Sequence, residues 1–266
     1  MQFTFREVTL YPITGAFGKS YSSLVEMSFL PDEAAEVENA YVRYNKMAGN
    51  NMLSVRAGIF HPFEGYGASD RPFSLSRPLF QTNAANNTAS TLFKPWGYDQ
   101  VGIELGYSME HTHARLSVFN GILPTAKPAQ GGSLSKGSGD PSRDAKDVQL
   151  TITHALTDDG GAITGYAYVG SLDLPGPSLT KNTFQRYAIY ASYPISNALV
   201  LGGFQNGSDS PTGGSTFSNQ GFFGEADYNL SELFWIGAWY DSFDPSTAKS
   251  DNEVSAITAF ANYYVD

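Results

Sequence analysis

Charged side chains inside alternating apolar segments are the residues of this chain best suited to act on a solute. A charge in the middle of such a segment is costly against lipid, so it must face water or a partner charge. Opposite charges that face each other across a water-filled passage create a field that orients solutes and filters them by size and charge. The alternation places eight candidates on one face: Arg43, Arg56, Arg115, Arg186, Glu26, Glu104, Glu225 and Asp227. The alternative is that each is a solvated side chain that only balances its neighbours.

Sequence motifs for bond-making chemistry are missing from the chain. It contains no Gly-x-Ser-x-Gly elbow, no phosphate-binding P-loop and no cysteine. His111 and His113 are close in sequence, but no acidic or cysteine partners stand at the spacing that metal ligands need. We therefore expect no enzymatic activity, no metal site and no cofactor.

The composition is under-charged and rich in aromatic residues. Charged residues make up 16% and aromatic residues 14% of the 266 residues, whereas a soluble domain carries about 25% charged residues. The mean hydropathy is −0.24, and no apolar run approaches the ~18 residues of a membrane helix. A net charge of −10 argues against a nucleic-acid partner. This composition fits a membrane β-barrel, whose lipid face takes only alternate residues, and also a secreted β-sandwich.

Period-two alternation recurs along the whole chain and predicts strands. Between Val101 and Met109, every second residue is apolar and the residues between are small or polar. Each of the predicted strands has about the 9–11 residues that a tilted strand needs to cross a bilayer. The thirteen predicted strands are roughly 2–12, 20–30, 37–46, 51–61, 98–109, 113–122, 146–156, 161–173, 182–193, 197–206, 219–229, 232–243 and 252–265.

The connections between these strands alternate between short and long. Tight turns are predicted near 48–50, 110–112, 158–160, 196–197 and 230–231, and longer connections at 62–97, 123–145, 174–181, 207–218 and 244–251. Outer-membrane barrels have short periplasmic turns at one rim and long extracellular loops at the other. The sequence therefore predicts an all-β fold, an antiparallel up-and-down transmembrane β-barrel of the porin type, in the bacterial outer membrane.

If the long connections are extracellular, the first predicted strand runs from the extracellular rim toward the periplasm, and the last predicted strand ends in the periplasm. A bacterial barrel has an even number of strands and begins and ends in the periplasm. We therefore expect residues 1–266 to form a single barrel domain that lacks at least one strand on its N-terminal side, out of a total of 14–18 strands.

The longest connection, 62–97, combines charged residues with prolines and aromatics. Such a composition favours an ordered, packed loop. Either the loop folds into the passage as a constriction or it packs on the rim as a lid. Its charged candidates are Glu64, Asp70, Arg71 and Arg77.

The segment 22–80 is similar to the phosphate-selective porin family. The likeness rests on an acidic turn at 31–33, on the strand 38–44 (E-N-A-Y-V-R-Y) and on the strand 54–63 (S-V-R-A-G-I-F-H-P-F). The resemblance implies a homotrimeric general or anion-preferring porin with a loop folded into the pore. Phosphate-selective members line the lumen with Arg and Lys. This chain has only 16 basic residues against 26 acidic ones, so phosphate specificity is not carried over.

The function that these patterns favour is passive diffusion of small hydrophilic or charged solutes through an outer-membrane channel, with lipid as its surroundings. One alternative is a barrel that serves as a sleeve for a periplasmic or electron-carrying partner protein. A sleeve predicts small, uncharged inward residues, and the charged candidates argue against it. Another alternative is a soluble secreted β-sandwich that binds a ligand.

Overall fold

The computed structural model describes most of the chain in enough detail for residue-level analysis. The described residues are 8–29, 36–60, 100–121, 123–124, 134–135, 146–172 and 181–263. The loop 62–97, and with it the predicted constriction, lies outside them. In the described part, no helix is long and apolar enough to cross a bilayer.

Thirteen of the fifteen described strands form one antiparallel sheet in which each strand pairs with its neighbours along the chain. The sheet strands are β1 (Val8–Phe17), β2 (Tyr21–Phe29), β3 (Glu36–Ala48), β4 (Asn51–Phe60), β5 (Gln100–Ser108), β6 (Thr112–Phe119), β9 (Asp147–Ala155), β10 (Ala162–Leu172), β11 (Asn182–Ile195), β12 (Ala198–Pro211), β13 (Phe217–Ser231), β14 (Phe234–Asp244) and β15 (Val254–Tyr263). The all-β, up-and-down architecture and the thirteen strands predicted from the alternation are confirmed.

This sheet exposes its apolar face and buries its polar face, the reverse of a water-soluble sheet. On β5, Ile103 and Leu105 are 55% and 48% exposed, while Glu104 between them is 3% exposed. The same inversion continues on β9, where Val148 and Leu150 are exposed and Gln149 is buried. A water-soluble sheet buries its apolar face. A face of exposed apolar side chains backed by buried polar ones is the arrangement of a barrel in lipid, so the apolar face is the outer one.

Short turns join the strands at one rim. Gly18 and Gly49 have φ values of 66° and 65°, and Ser196 has a φ of 55°. A left-handed backbone of this kind closes tight hairpins, and glycine adopts it without steric cost. The connections at the opposite rim are 30–35, 61–99, 120–146, 173–181, 212–216 and 245–253, and most of them are longer. The exception is 212–216, which has five residues where the sequence predicts a connection over 207–218, and which is shorter than the six-residue connection 156–161 of the first rim. The predicted alternation of short and long connections is therefore present in most of the sheet.

The predicted end of the first strand is wrong, while its predicted start lies outside the described residues. β1 continues to Phe17 and the turn occupies 18–20, whereas the sequence predicts a strand end at residue 12. A bulge between Leu10 and Ile13 places Tyr11 and Pro12 opposite a single residue of β2. Because a bulge shifts the alternation by one residue and proline donates no ladder hydrogen bond, the strand pattern is interrupted there.

The connection 120–146 contains two short strands that the alternation does not reveal. β7 (Leu123–Pro124) pairs with β8 (Leu134–Ser135) in a separate two-stranded sheet. Strands of two residues are too short to show a period. The alternation therefore predicts only a long connection here.

Candidate functional site

A group of arginines lies on the inner face of β3, β4 and β6. Arg43 stands opposite Arg56 across the β3–β4 ladder, Arg56 stands opposite Glu104 on β5, and Arg115 lies opposite Gly106 one row below. The three arginine side chains are half-buried. We call Arg43, Arg56, Arg115 and Glu104 the arginine cluster. Three guanidinium groups and one carboxylate leave the cluster with an excess of two positive charges.

Arg56 is the best-anchored member of this cluster. Its Nη2 donates to Oε2 of Glu104 at 2.8 Å, and its side chain remains 12% exposed. The guanidinium carbon lies 3.9 Å from the centroid of the Phe60 ring and 5.2 Å from that of Tyr41. Cation–π contact and a charge-assisted hydrogen bond fix the planar group against the wall. One face of Arg56 is therefore held by protein while part of it stays accessible.

Glu104 is held by two partners on neighbouring strands. Besides the bond from Arg56, the hydroxyl of Ser117 on β6 donates to Glu104 Oε2 at 3.3 Å. Glu104 is 3% exposed. Its charge therefore acts mainly on the adjacent guanidinium groups and offers little surface to a solute.

Arg186 also lies on the inner face, but it is fully enclosed. Its Nη2 donates to both carboxylate oxygens of Asp209 at 3.0 and 2.9 Å, and both side chains are 0% exposed. The amides of Asn182 and Asn219 donate to the same carboxylate at 2.8 and 2.6 Å. A buried ion pair persists only when such additional bonds satisfy it. This geometry ties β11, β12 and β13 together.

The acidic candidates lie on another part of the wall. Glu225 and Asp227 point inward from β13, and Asp241 of β14 lies near them in the ladder. All three are buried, at 5%, 1% and 1% exposure. In the sheet order β4-β5-β6-β9-β10-β11-β12-β13, seven strand-to-strand steps separate the strand of Arg56 from the strand of Glu225. Glu225, Asp227 and Asp241 therefore lie on a part of the sheet that is distant from the arginine cluster.

Aromatic side chains line the inner wall between these charged groups. Tyr166 and Tyr190 stack with ring centroids 5.8 Å apart, and Tyr190 lies 6.2 Å from Phe223. The intervening strand carries Gly203, where a Cβ would lie 2.6 Å from Cε1 of Phe223 and closer still to the Tyr190 ring. The glycine therefore creates the space in which the two rings meet.

His111 lies outside strand β6, whereas His113 lies within it. His111 lies in the turn before β6, with 53% of its side chain exposed, near Glu110. His113 points to the inner face, where its Nδ1 lies 3.1 Å from the hydroxyl of Ser108. Among the residues that the structure describes, no three His, Asp or Glu side chains come together as a metal-binding group.

The residues that hold Arg186 are not among those predicted from the sequence. The predicted strand 197–206 ends before Asp209, since 207–211 reads G-S-D-S-P, a composition typical of loops. The continued alternation of Gln205, Gly207 and Asp209 is the signal that would have placed Asp209 on the inner face. The candidates Glu64, Asp70, Arg71 and Arg77 lie outside the described residues.

Comparisons with known proteins support the fold. No protein-family model matches the chain, and no curated protein sequence matches it. Among solved structures, an anion-selective porin from Comamonas acidovorans superposes with a TM-score of 0.61 at 11% identity, covering 93% of this chain and 71% of that one. A loop-deletion mutant of OmpT, an outer membrane protein of Vibrio cholerae, gives a TM-score of 0.51 at 10% identity, covering 97% of this chain and 89% of that one. The chain thus has the fold of porin barrels, which are proteins of the bacterial outer membrane, and its exposed apolar face is the one that such barrels turn to lipid.

Proposed function

We propose that this protein is a passive channel for small hydrophilic solutes and that the arginine cluster is its selectivity element. The observation that carries the proposal is the half-buried position of Arg43, Arg56 and Arg115 on the polar inner face. Guanidinium groups are costly in lipid but stable beside water. Exposed to a water-filled lumen, they attract solutes of opposite charge.

The distribution of accessible charge favours anions. The acidic candidates Glu225 and Asp227 are almost fully buried, whereas the arginines of the cluster keep part of their surface accessible. A charge that a solute approaches closely acts more strongly than one that is distant or screened. The net charge of −10 belongs to the whole chain and does not decide the potential in the lumen.

The acidic residues Glu225, Asp227 and Asp241 supply the negative side of an electric field across the lumen. Because they lie far from the arginine cluster in the sheet order, curling the sheet into a barrel brings the two groups to opposing walls. The resulting transverse field orients dipolar solutes as they pass. We assign Arg186 to the stability of the wall, since its guanidinium is already saturated by Asp209 and by backbone carbonyls.

Three further features belong to the same proposal. Residues 1–266 form one barrel domain, the loop 62–97 narrows its passage, and three copies assemble side by side. Support for the loop and the trimer comes from the likeness of segment 22–80 to phosphate-selective porins. The fold match to an anion-selective porin agrees with an anion preference, without indicating phosphate.

Planar-bilayer recording tests this function. The purified, folded chain is added to a lipid bilayer in a KCl gradient, and current steps and the reversal potential are measured. We expect stepwise insertions with a reversal potential on the anion-selective side. Complete absence of steps from a preparation that shows a heat-modifiable folded band would refute the channel and favour the sleeve. A cation-selective reversal potential would refute the role of the arginine cluster.

A further inference from the structure

A groove on the outside of the barrel combines positive charge with hydroxyl groups. It has a volume of about 310 Å³ and crosses β9, β10, β11 and β12 near the long-connection rim. That volume is at the lower end of the range for small-molecule sites, which is roughly 300–1,000 Å³. Its polar lining consists mainly of Lys146, Lys181, Ser171, Thr183, Ser208 and Ser210.

The register shows that the groove belongs to the lipid side of the wall. Val148 and Val169 in its floor are 37% and 45% exposed, on the face opposite to the buried Asp147 and Tyr168. Gln185 pairs with Val169 on one side and with Ser208 on the other, so the three residues share this outward face. The groove is therefore separate from the lumen and from the arginine cluster.

Successive outward rows of the wall become more polar toward this rim. Tyr187 is 48% exposed and donates to Oε1 of Gln185 at 2.9 Å. One row further, about 7 Å along the strand, lie Gln185 and Ser208, and another row on lie Thr183 and Ser210. An aromatic ring followed by hydroxyls marks the passage from hydrocarbon to head groups, because aromatic girdles sit at that interface.

The two lysines stand at the end of this series. Lys181 directly precedes β11 and lies one outward row beyond Thr183. Lys146 directly precedes β9, and the β9–β10 register, continued by two residues, places it beside Ser171 in the row of Thr183. Lysine binds phosphate as a compact positive charge. Basic pockets at head-group depth bind the charged groups of anionic lipids.

We propose that this groove binds the phosphorylated sugar head group of a glycolipid in the outer leaflet of the outer membrane. The lysines hold the phosphate, the hydroxyls of Thr183, Ser208 and Ser210 contact the sugar, and Val148 and Val169 contact the start of an acyl chain; Ser171 is buried and only closes the groove from below. The occupant follows from charge complementarity and from continuity with the lipid-facing surface. The inference rests on the membrane location and is independent of conduction through the lumen.

Titration of fluorescent lipid A into the folded protein in detergent tests this site. We expect the double variant Lys146→Ala/Lys181→Ala to bind about 30-fold more weakly, since each lysine near an anionic lipid contributes roughly five-fold. The matched control is Lys19→Ala/Lys46→Ala, which removes two exposed lysines at the short-turn rim and should leave the affinity unchanged. A heat-modifiable band and unaltered urea unfolding verify that both variants fold.

The source of the phosphate is distinguished by two further probes. Lipid A stripped of its phosphates should bind the unmodified protein as weakly as intact lipid A binds the lysine variant. Inorganic phosphate at millimolar concentration should not displace intact lipid A, because it lacks the sugar and acyl contacts. Equal affinity for the stripped lipid, displacement by free phosphate, or equal losses in both double variants would overturn the proposal.

Discussion

Arg56 has the contacts expected of a residue that influences solutes without moving freely. It is bonded to Glu104 and packed on Phe60, yet part of its side chain is accessible. In Arg56→Glu, two carboxylates would face each other in the ladder and the cluster would change from a net charge of +2 to 0. We expect the reversal potential in a KCl gradient to shift toward cation selectivity.

The control for this measurement is Lys46→Glu. It makes the same change of charge at an exposed position near the short-turn rim. Its reversal potential should stay close to that of the unmodified channel. An identical shift in both variants would show that total charge, rather than the arginine cluster, determines selectivity.

Asp209 stabilises the part of the wall formed by β11, β12 and β13. Replacing it in Asp209→Asn leaves the buried guanidinium of Arg186 without a counter-charge, and breaking a buried pair costs about 3–5 kcal/mol. Urea unfolding of the barrel in detergent should show this loss. Asp158→Asn, in an exposed turn, is the control and should unfold like the unmodified protein. Equal stability of Asp209→Asn would mean that the pair does not hold the strands together.

At the scale of elements, the inner wall depends on glycines beneath aromatic rings. A methyl group at Gly203 would collide with the rings of Tyr190 and Phe223, and overpacking of this kind costs about 1–3 kcal/mol. Gly203→Ala should therefore lower the free energy of unfolding, measured in urea. Gly224 on β13 has open space around it and faces outward, so Gly224→Ala should not destabilise the protein. The reverse order of stabilities would contradict the proposed packing.

The first and last residues of a strand can be predicted where the apolar–polar alternation is continuous, and they cannot be predicted where it is interrupted. β5 and β9 have clean alternation, and their bounds agree within about two residues with the predicted ones. At Pro12 the bulge shifts the phase, so the sequence suggests an end in the middle of β1. β12 continues through residues 207–211 because its inward polar residues bond to β11 and β13, contacts that local composition does not encode.

At the scale of the whole molecule, the inverted polarity of the sheet follows from the sequence, but the distribution of charge does not. Alternation alone places Arg43, Arg56, Arg115 and Arg186 on one face. It does not distinguish the accessible Arg56 from the enclosed Arg186, because that difference depends on Asp209, Asn182 and Asn219 from three strands. Which strands oppose each other is likewise a property of the sheet order.

Adjacent residues of β6 allow the most direct test of an aqueous lumen inside a lipid-facing wall. The chain contains no cysteine, so Arg115→Cys and Leu116→Cys each introduce a single thiol. Arg115 points inward, whereas Leu116 is 43% exposed on the outer face. A charged, membrane-impermeant thiol reagent is added during bilayer recording. We predict that it changes the conductance of Arg115→Cys and leaves that of Leu116→Cys unaltered; reaction only at Leu116→Cys, or at neither position in a conducting channel, would contradict this account.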